Sequence, residues 1–428
     1  PGHSLGRPRN VCWVKGGEKA IEASLDAFER WCSADLSQEE INDIQVIQQL
    51  GLAVDRVMAE GNLLDPELAA LAIRRAQGDL VEAIFLLRAF RTSLQRIGRA
   101  LPLQTGFMQV QRRISAIFKD VPGGQILGPT ADYSQRLLME PAPFGEVSEL
   151  VDLIATAGSP SSEALAAGQT NEEQEVCYPE LGRVTQFLRQ EGLLEPLPEA
   201  KPNSVSKEQL ADHRETANTI PDLTQSPMRF PMLREAWLQG LARADEGFLL
   251  ALGYSTQRGF GSTHPFVGEI RCGFTPVTVP LSFIDPTVES NEPVGIGELL
   301  LTECEMITQF MALPNASDSS QPAEPQEGRF TTGYGLAPGR AERKAMAMAL
   351  VDRALQSESL GEPTGAPAQD LEFVLAHADN VEASGFVQHL KLPHYVDFQS
   401  ELSLLRRIRE KRSATGAPPS FPEKDQEE

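Results

Sequence analysis

The sequence predicts an α+β fold, with a helical amino-terminal domain and a mixed α/β carboxy-terminal domain joined by a polar linker. Three observations predict it. From Gly17 to about residue 98, apolar residues recur at helical spacing between capping signals. Residues 156–228 are rich in Ser, Pro, Glu, Asn and Ala, the composition of a linker, around one short helix near Leu181 to Leu194. Beyond Phe230, runs of Val, Ile, Phe and Thr alternate with helical stretches. The expected organisation is therefore a leader (1–12), a helical domain with a short strand region (13–155), the linker (156–228), an α+β domain (229–412) and a disordered tail (413–428).

Taken in order, the elements have local causes. Asp65 before Pro66 is an N-cap with proline in the first helical position, and that helix stops at Gly78. Asp79 caps the next, with Glu82 placed three residues on to reach back in a capping box. Met108 to Phe118 mixes β-branched and charged residues without helical period and predicts a strand, ending in the turn-rich Lys119 to Gly124. In the second domain a helix runs to about Ala242, and strands are expected at Glu269 to Phe283 and Gly295 to Met306. Asn315 to Glu327 is a polar loop. Pro338 is expected to open a long helix to about Gln356, with further helices after Asp370 and over Phe398 to Arg412.

Charge and cysteine usage exclude several functions. The chain carries 38 basic and 60 acidic residues, a net charge of −22, so it lacks the basic surface that nonspecific nucleic-acid binding needs. No apolar run is long enough to span a membrane, and Pro1 to Arg9 has no apolar core of a secretory signal. Five scattered cysteines argue against a disulfide framework and for a reducing cytosol, and their spacing holds no iron–sulfur or four-cysteine zinc site.

Several segments bear on chemistry. Gly123 to Thr130 has P-loop glycine spacing, but Pro129 stands where the phosphate-binding lysine belongs, which makes it a structural turn. Thr332 to Arg340 is glycine-rich and leads toward Arg340, Arg343 and Lys344. Gly333, Gly335 and these cations would suit a polyphosphate, the alternative being a turn before a solvated basic face. Tyr254 to Phe266 has no apolar period and reads as a binding loop or a long turn, with Gln257 and Arg258 a second choice for nucleotide. Glu303 and Glu305 flank Cys304 on one face of a strand, where paired carboxylates do acid–base work or face a basic partner. Asp370 is a cap, and Glu372, His377 and Asp379 follow it without being gathered by spacing. His389 and His394 are half a metal site at best, which a bend at Pro393 could bring together.

In sequence order, these segments resemble the PhnI family of the bacterial carbon–phosphorus lyase complex. The resemblance is carried by Val14 to Ile21, Leu52 to Met58, Val81 to Arg88, Lys119 to Thr130, Tyr254 to Arg258, Leu301 to Met306, Glu342 to Leu355 and, most specifically, Glu372 to Phe398. It implies a transferase step in phosphonate catabolism. Adenine of ATP, held with magnesium, is displaced from ribose C1′ by a phosphonate, giving α-D-ribose 1-methylphosphonate 5-triphosphate. It also implies a hetero-oligomer with PhnG, PhnH and PhnJ and with the ATPase-like PhnL and PhnK. A zinc ion would sit on His389 and His394 at the contact with PhnJ, with a third ligand from the partner or from His377. Displacement at an anomeric carbon needs an acid for the departing base and carboxylate charge near the sugar, and Glu303, Glu305, Asp379 and Glu372 remain equal candidates. A subunit that only docks the others is the competing expectation.

Overall fold

The computed structural model describes residues 17–32, 39–130, 182–195, 222–261, 263–284, 292–311 and 328–414. Its helices and small antiparallel sheet make a mixed α+β fold. The leader, the tail beyond Ala414, the Asn315 to Glu327 loop and most of the expected linker lie outside the described residues. The chain separates into two compact units, one ending at Asp379 and the other starting at Asn380.

The amino-terminal helices form where the caps place them. α1 (Glu18–Cys32) is followed by α2 (Asp43–Gln49), α3 (Gly51–Gly61), α4 (Pro66–Arg75) and α5 (Leu80–Arg91). Asp65 accepts from the Leu68 N–H, and Asp79 accepts from those of Val81 and Glu82. The Asp79 N–H is bonded to the Ala76 carbonyl, so the expected return bond from Glu82 has no donor left to meet. Helices α2 to α5 bury Val54, Val57, Ala69, Ile73, Ile84 and Leu87.

The sheet is antiparallel throughout, in the order β1 (Gln109–Ile114), β2 (Phe266–Pro280), β3 (Pro293–Met311) and β4 (Gly328–Pro338). Between β1 and β2 lie the short α6 (Gln186–Gln190) and then α7 (Arg234–Arg243) and α8 (Glu246–Arg258). The final turn of β2 gives way to α9 (Leu281–Ile284), which takes the end of the expected strand. After β4 come α10 (Glu342–Leu355) and α11 (Leu371–His377), the latter capped by Asp370 through the Phe373 N–H. Leu241, Leu249, Leu252, Met348, Val351, Leu355, Val374 and Leu375 make the core where α7, α8, α10 and α11 meet.

Two expectations are corrected here. The Thr332 to Pro338 stretch is strand β4, and the helix starts at Glu342. Residues alternate along it, with Thr332, Tyr334 and Leu336 on one face and Gly333, Gly335 and Ala337 on the other. The glycine face receives α10. A Cβ built on Gly333 would stand 1.8 Å from the Ala349 carbonyl oxygen, and one on Gly335 1.9 Å from that of Ala345. These glycines let a helix backbone rest on a strand, and they form no open loop. Likewise Tyr254 to Arg258 is the end of α8, because the Asp245 cap starts a helix that reaches Arg258.

The Gly123 to Thr130 segment is the structural turn expected. Gly123, Gly124 and Gly128 have positive φ, and Ile126 exchanges backbone hydrogen bonds with Arg113.

In the second unit, α12 (Asn380–His389) and α13 (Tyr395–Ala414) are separated by a turn that contains Pro393. Neither helix buries a residue. No helix among the described residues is long and apolar enough to cross a membrane.

Candidate functional site

The sheet has two unlike faces. On one, Ile270, Cys304 and Met306 pack under Ala345 and Ala349 of α10. On the other, register puts Glu269 opposite Glu305 and Arg271 opposite Glu303, with Arg113 beside Arg271 on β1 and Tyr334 beside Glu305 on β4. This charged face is buried: Arg113, Arg271, Glu269, Glu303 and Glu305 are all below 5% exposed. The segment 182–195 covers it, bringing Arg183, Thr185 and Arg189.

Every carboxylate oxygen on this face is engaged. Glu303 Oε1 accepts from the Arg271 guanidinium, at 2.8 Å for Nε, while its Oε2 accepts from Tyr334 at 3.0 Å and from Arg183 at 3.3 Å. Glu305 takes Arg183 at 3.4 Å and Arg189 at 3.2 Å on Oε1, and the Thr185 hydroxyl on Oε2. Glu269 binds Arg113 at 2.6 Å and the Val184 N–H at 3.2 Å. Burial alone would raise Glu303, but Arg271 and Arg183 overcome it and hold the carboxyl below its usual range. Burial and Glu303 together push the Tyr334 phenol well above its ordinary value, so it stays a donor. The predicted pair Glu303 and Glu305 is thus brought together on one buried face, each carboxylate paired with arginines.

The remaining candidates lie elsewhere. Asp379 accepts from Arg88 at 2.5 Å, and Glu372 is exposed in the first turn of α11. Gln257 and Arg258 close α8. His377 Nδ1 lies 2.7 Å from the Phe373 carbonyl, one helical turn back.

The three cations after β4 do not share a surface. Arg340 approaches Asp55 at 3.9 Å, and Arg343 reaches Glu246 at 3.0 Å. Lys344 turns inward: it is 1% exposed, its Nζ lies 4.0 Å from Glu60 Oε1, and it makes no hydrogen bond. The expected three-cation cluster is therefore corrected, because position 344 shares a helix face with the buried Met348, Val351 and Leu355.

Burial lowers the Lys344 ammonium to about 8 against the pull of Glu60. The unfolded chain holds that proton to a higher pH, near 10.5, so the folded state binds fewer protons between about pH 8 and 10.5. Stability from this group rises with pH across that window, and the cost of the buried charge is present in full below it. Lys344→Met should remove that slope and leave stability at pH 7 equal or higher, as urea midpoints at pH 7, 8.5 and 10 will show. A variant that retains the parent's rise would refute the assignment.

In the second unit His389 and His394 do meet. Their Nε2 atoms are 3.0 Å apart with the rings at 89°. His394 Nδ1 lies 2.6 Å from the Leu392 carbonyl oxygen, to which it donates. Two imidazole nitrogens this close together are of the type and spacing that supply two corners of a tetrahedral metal site. Among the described residues no group of three or more His, Cys, Asp or Glu side chains is placed to hold a metal.

Comparison with known proteins gives a consistent result. The family model described as bacterial phosphonate metabolism protein (PhnI) matches residues 11–412. A relative in Rhizobium meliloti (strain 1021), named alpha-D-ribose 1-methylphosphonate 5-triphosphate synthase subunit PhnI, is 48% identical over 407 residues, covering 94% of this chain and 96% of its own length. The protein of the same name in Escherichia coli (strain K12) is 47% identical over 401 residues, covering 94% and 98%. A third relative, HtxH of Stutzerimonas stutzeri, carries a C-P lyase subunit name and is 39% identical over 411 residues, covering 94% and 96%.

Proposed function

This chain belongs to the PhnI family of bacterial phosphonate metabolism proteins, and from that premise we propose that it is the subunit at which an alkylphosphonate displaces adenine from ATP. The observation that carries the reading is near-complete alignment, over 94% of this chain, with subunits named for the synthase of α-D-ribose 1-methylphosphonate 5-triphosphate. Adenine stands on the β face of the ribose and the named product is α, so the substitution inverts C1′. A phosphonate oxygen forms the new bond to C1′, the bond to N9 breaks, and the base leaves with a proton. The triphosphate stays on C5′.

That chemistry asks for carboxylate charge near a cationic sugar and for a separate proton donor to the base. Arg271 and Arg183 hold Glu303 below its usual range, so it supplies charge and not a proton, and Glu305 is paired with Arg183 and Arg189 beside it. Asp379 is ion-paired with Arg88 in the same way, so the acid is then sought at the exposed Glu372 or on a partner subunit. Purified chain, alone and with its partner subunits, is incubated with ATP and methylphosphonate and free adenine is followed by chromatography. Release is the expected result, and none in either mixture would leave the chain a scaffold.

One observation favours an added docking role. The second unit leaves Phe386, Leu390, Tyr395, Val396 and Phe398 more than 60% exposed around the histidine pair. A partner such as PhnJ seated there would complete a zinc site whose two ligands from this chain are His389 and His394. The assembled complex should hold about one zinc per chain, and a His389→Ala/His394→Ala complex should hold none. Equal metal in both would make the histidines packing residues.

A further inference from the structure

Five arginines converge where α5, the segment after it and the end of α7 meet. Arg88 and Arg91 come from α5, Arg96 and Arg99 from the following eight residues, and Arg243 from the last turn of α7. Asp222 and its neighbours form the hub. Arg96 binds the Asp222 carboxylate and, at 2.9 Å, the Thr224 hydroxyl. Arg99 stands 3.7 Å from Asp222, and Arg243 donates to the Leu223 carbonyl. Arg88 holds Asp379 and, at 2.8 Å, the Glu60 carbonyl.

Among the described residues the charges do not balance. Asp222 and Asp379 are the carboxylates that act on Arg91 and Arg243, against neighbouring arginines. Burial, then Arg88 together with Arg96 or Arg91, drives the Arg91 and Arg243 guanidiniums below their ordinary range, the sign of cations crowding one another. Arg88 Nε, Arg243 Nε and the Asn62 amide nitrogen, two residues beyond the Glu60 carbonyl, are buried donors without a hydrogen-bond partner. Arg96 and Arg99, at 40% and 58% exposed, keep the cluster open to solvent. A chain at −22 gains nothing structural from packing like charges together, and such a cluster is relieved by a bound polyanion.

We propose that the Arg88, Arg91, Arg96, Arg99 and Arg243 cluster binds a polyphosphate chain, the triphosphate of the nucleotide. The inference rests on the reading above, which supplies the nucleotide, but its test does not depend on catalysis. Forked guanidiniums pair with phosphate oxygens in twos, and five of them span a ligand of three linked phosphates. This location replaces the basic helix after β4, whose cations each face a carboxylate of this chain.

The test is calorimetric titration of the full chain with inorganic tripolyphosphate and with ATP. The parent, the Arg91→Gln/Arg99→Gln variant and an Arg340→Gln/Arg343→Gln variant are compared, with circular dichroism to confirm folding. Arg91 and Arg99 are chosen because Arg99 is exposed and neither makes a short carboxylate bond. We expect both ligands to bind the parent, with dissociation constants raised roughly tenfold to a hundredfold in the Arg91/Arg99 variant and unchanged in the other. ATP binding much tighter than tripolyphosphate would mark the base as a further contact. The proposal is overturned if the parent binds neither ligand, if the folded Arg91/Arg99 variant binds like the parent, or if it binds normally yet fails to enter the complex, which would make the cluster a protein interface. Binding that follows the arginines without adenine release would retain this site and remove the catalytic reading.

Discussion

Gly335→Ala should destabilise the fold by about 3 kcal/mol, and the Gly333→Ala/Gly335→Ala pair should prevent folding. The added methyl at 335 would stand 1.9 Å from the Ala345 carbonyl oxygen and 2.8 Å from its carbon, and backbone cannot swing aside as a side-chain tip can. Helix α10 would have to lift from the sheet and uncover Ile270, Cys304 and Met306. Urea unfolding of the single variant measures the effect. A loss under about 0.5 kcal/mol, with nucleotide affinity reduced instead, would restore these glycines as a phosphate loop.

Arg271→Met should cost about 3–5 kcal/mol. The side chain is 1% exposed and supplies the paired bond to Glu303, which is 2% exposed and retains Arg183, Tyr334 and Thr105 after the change. Most of the loss is the penalty of a poorly compensated buried anion. An Arg271→Met/Glu303→Leu double variant should therefore recover much of it, and the cycle of four proteins separates the pair from its surroundings. If Glu303 acted as the acid for the departing base, the single variant would instead stay folded and shift the pH dependence of adenine release.

The elements that local chemistry decides were legible in the sequence. Asp65, Asp79 and Asp370 each cap the helix they precede. The β1 segment follows from β-branched residues without helical period, and the shared face of Glu303 and Glu305 from the period of two along a strand. The bend that joins His389 and His394 follows from Pro393. What failed needed partners distant in sequence. Alternation of Thr332, Tyr334 and Leu336 with Gly333, Gly335 and Ala337 was a strand signal, but glycine density masked it as a loop. Lys344 read as a surface cation, although its spacing to Met348, Val351 and Leu355 placed it on the buried face. The basic partners of Glu303 and Glu305 could not be named from sequence, because Arg271 meets Glu303 through register and Arg183 and Arg189 come from the distant segment 182–195. The arginine cluster draws on α5 and α7, with Arg88 and Arg243 in separate predicted domains.

The central claim is that this chain supports substitution at C1′ of ATP by a phosphonate. Its most direct measurement is the ratio of adenine released to phosphonate consumed, by chromatography and phosphorus NMR, in the subunit complex assembled with and without this chain. The account predicts one adenine per ribosyl phosphonate formed, with the triphosphate resonances retained, and none of either when this chain is omitted. Equal product formation without this chain, or adenine release that leaves methylphosphonate untouched, would contradict it.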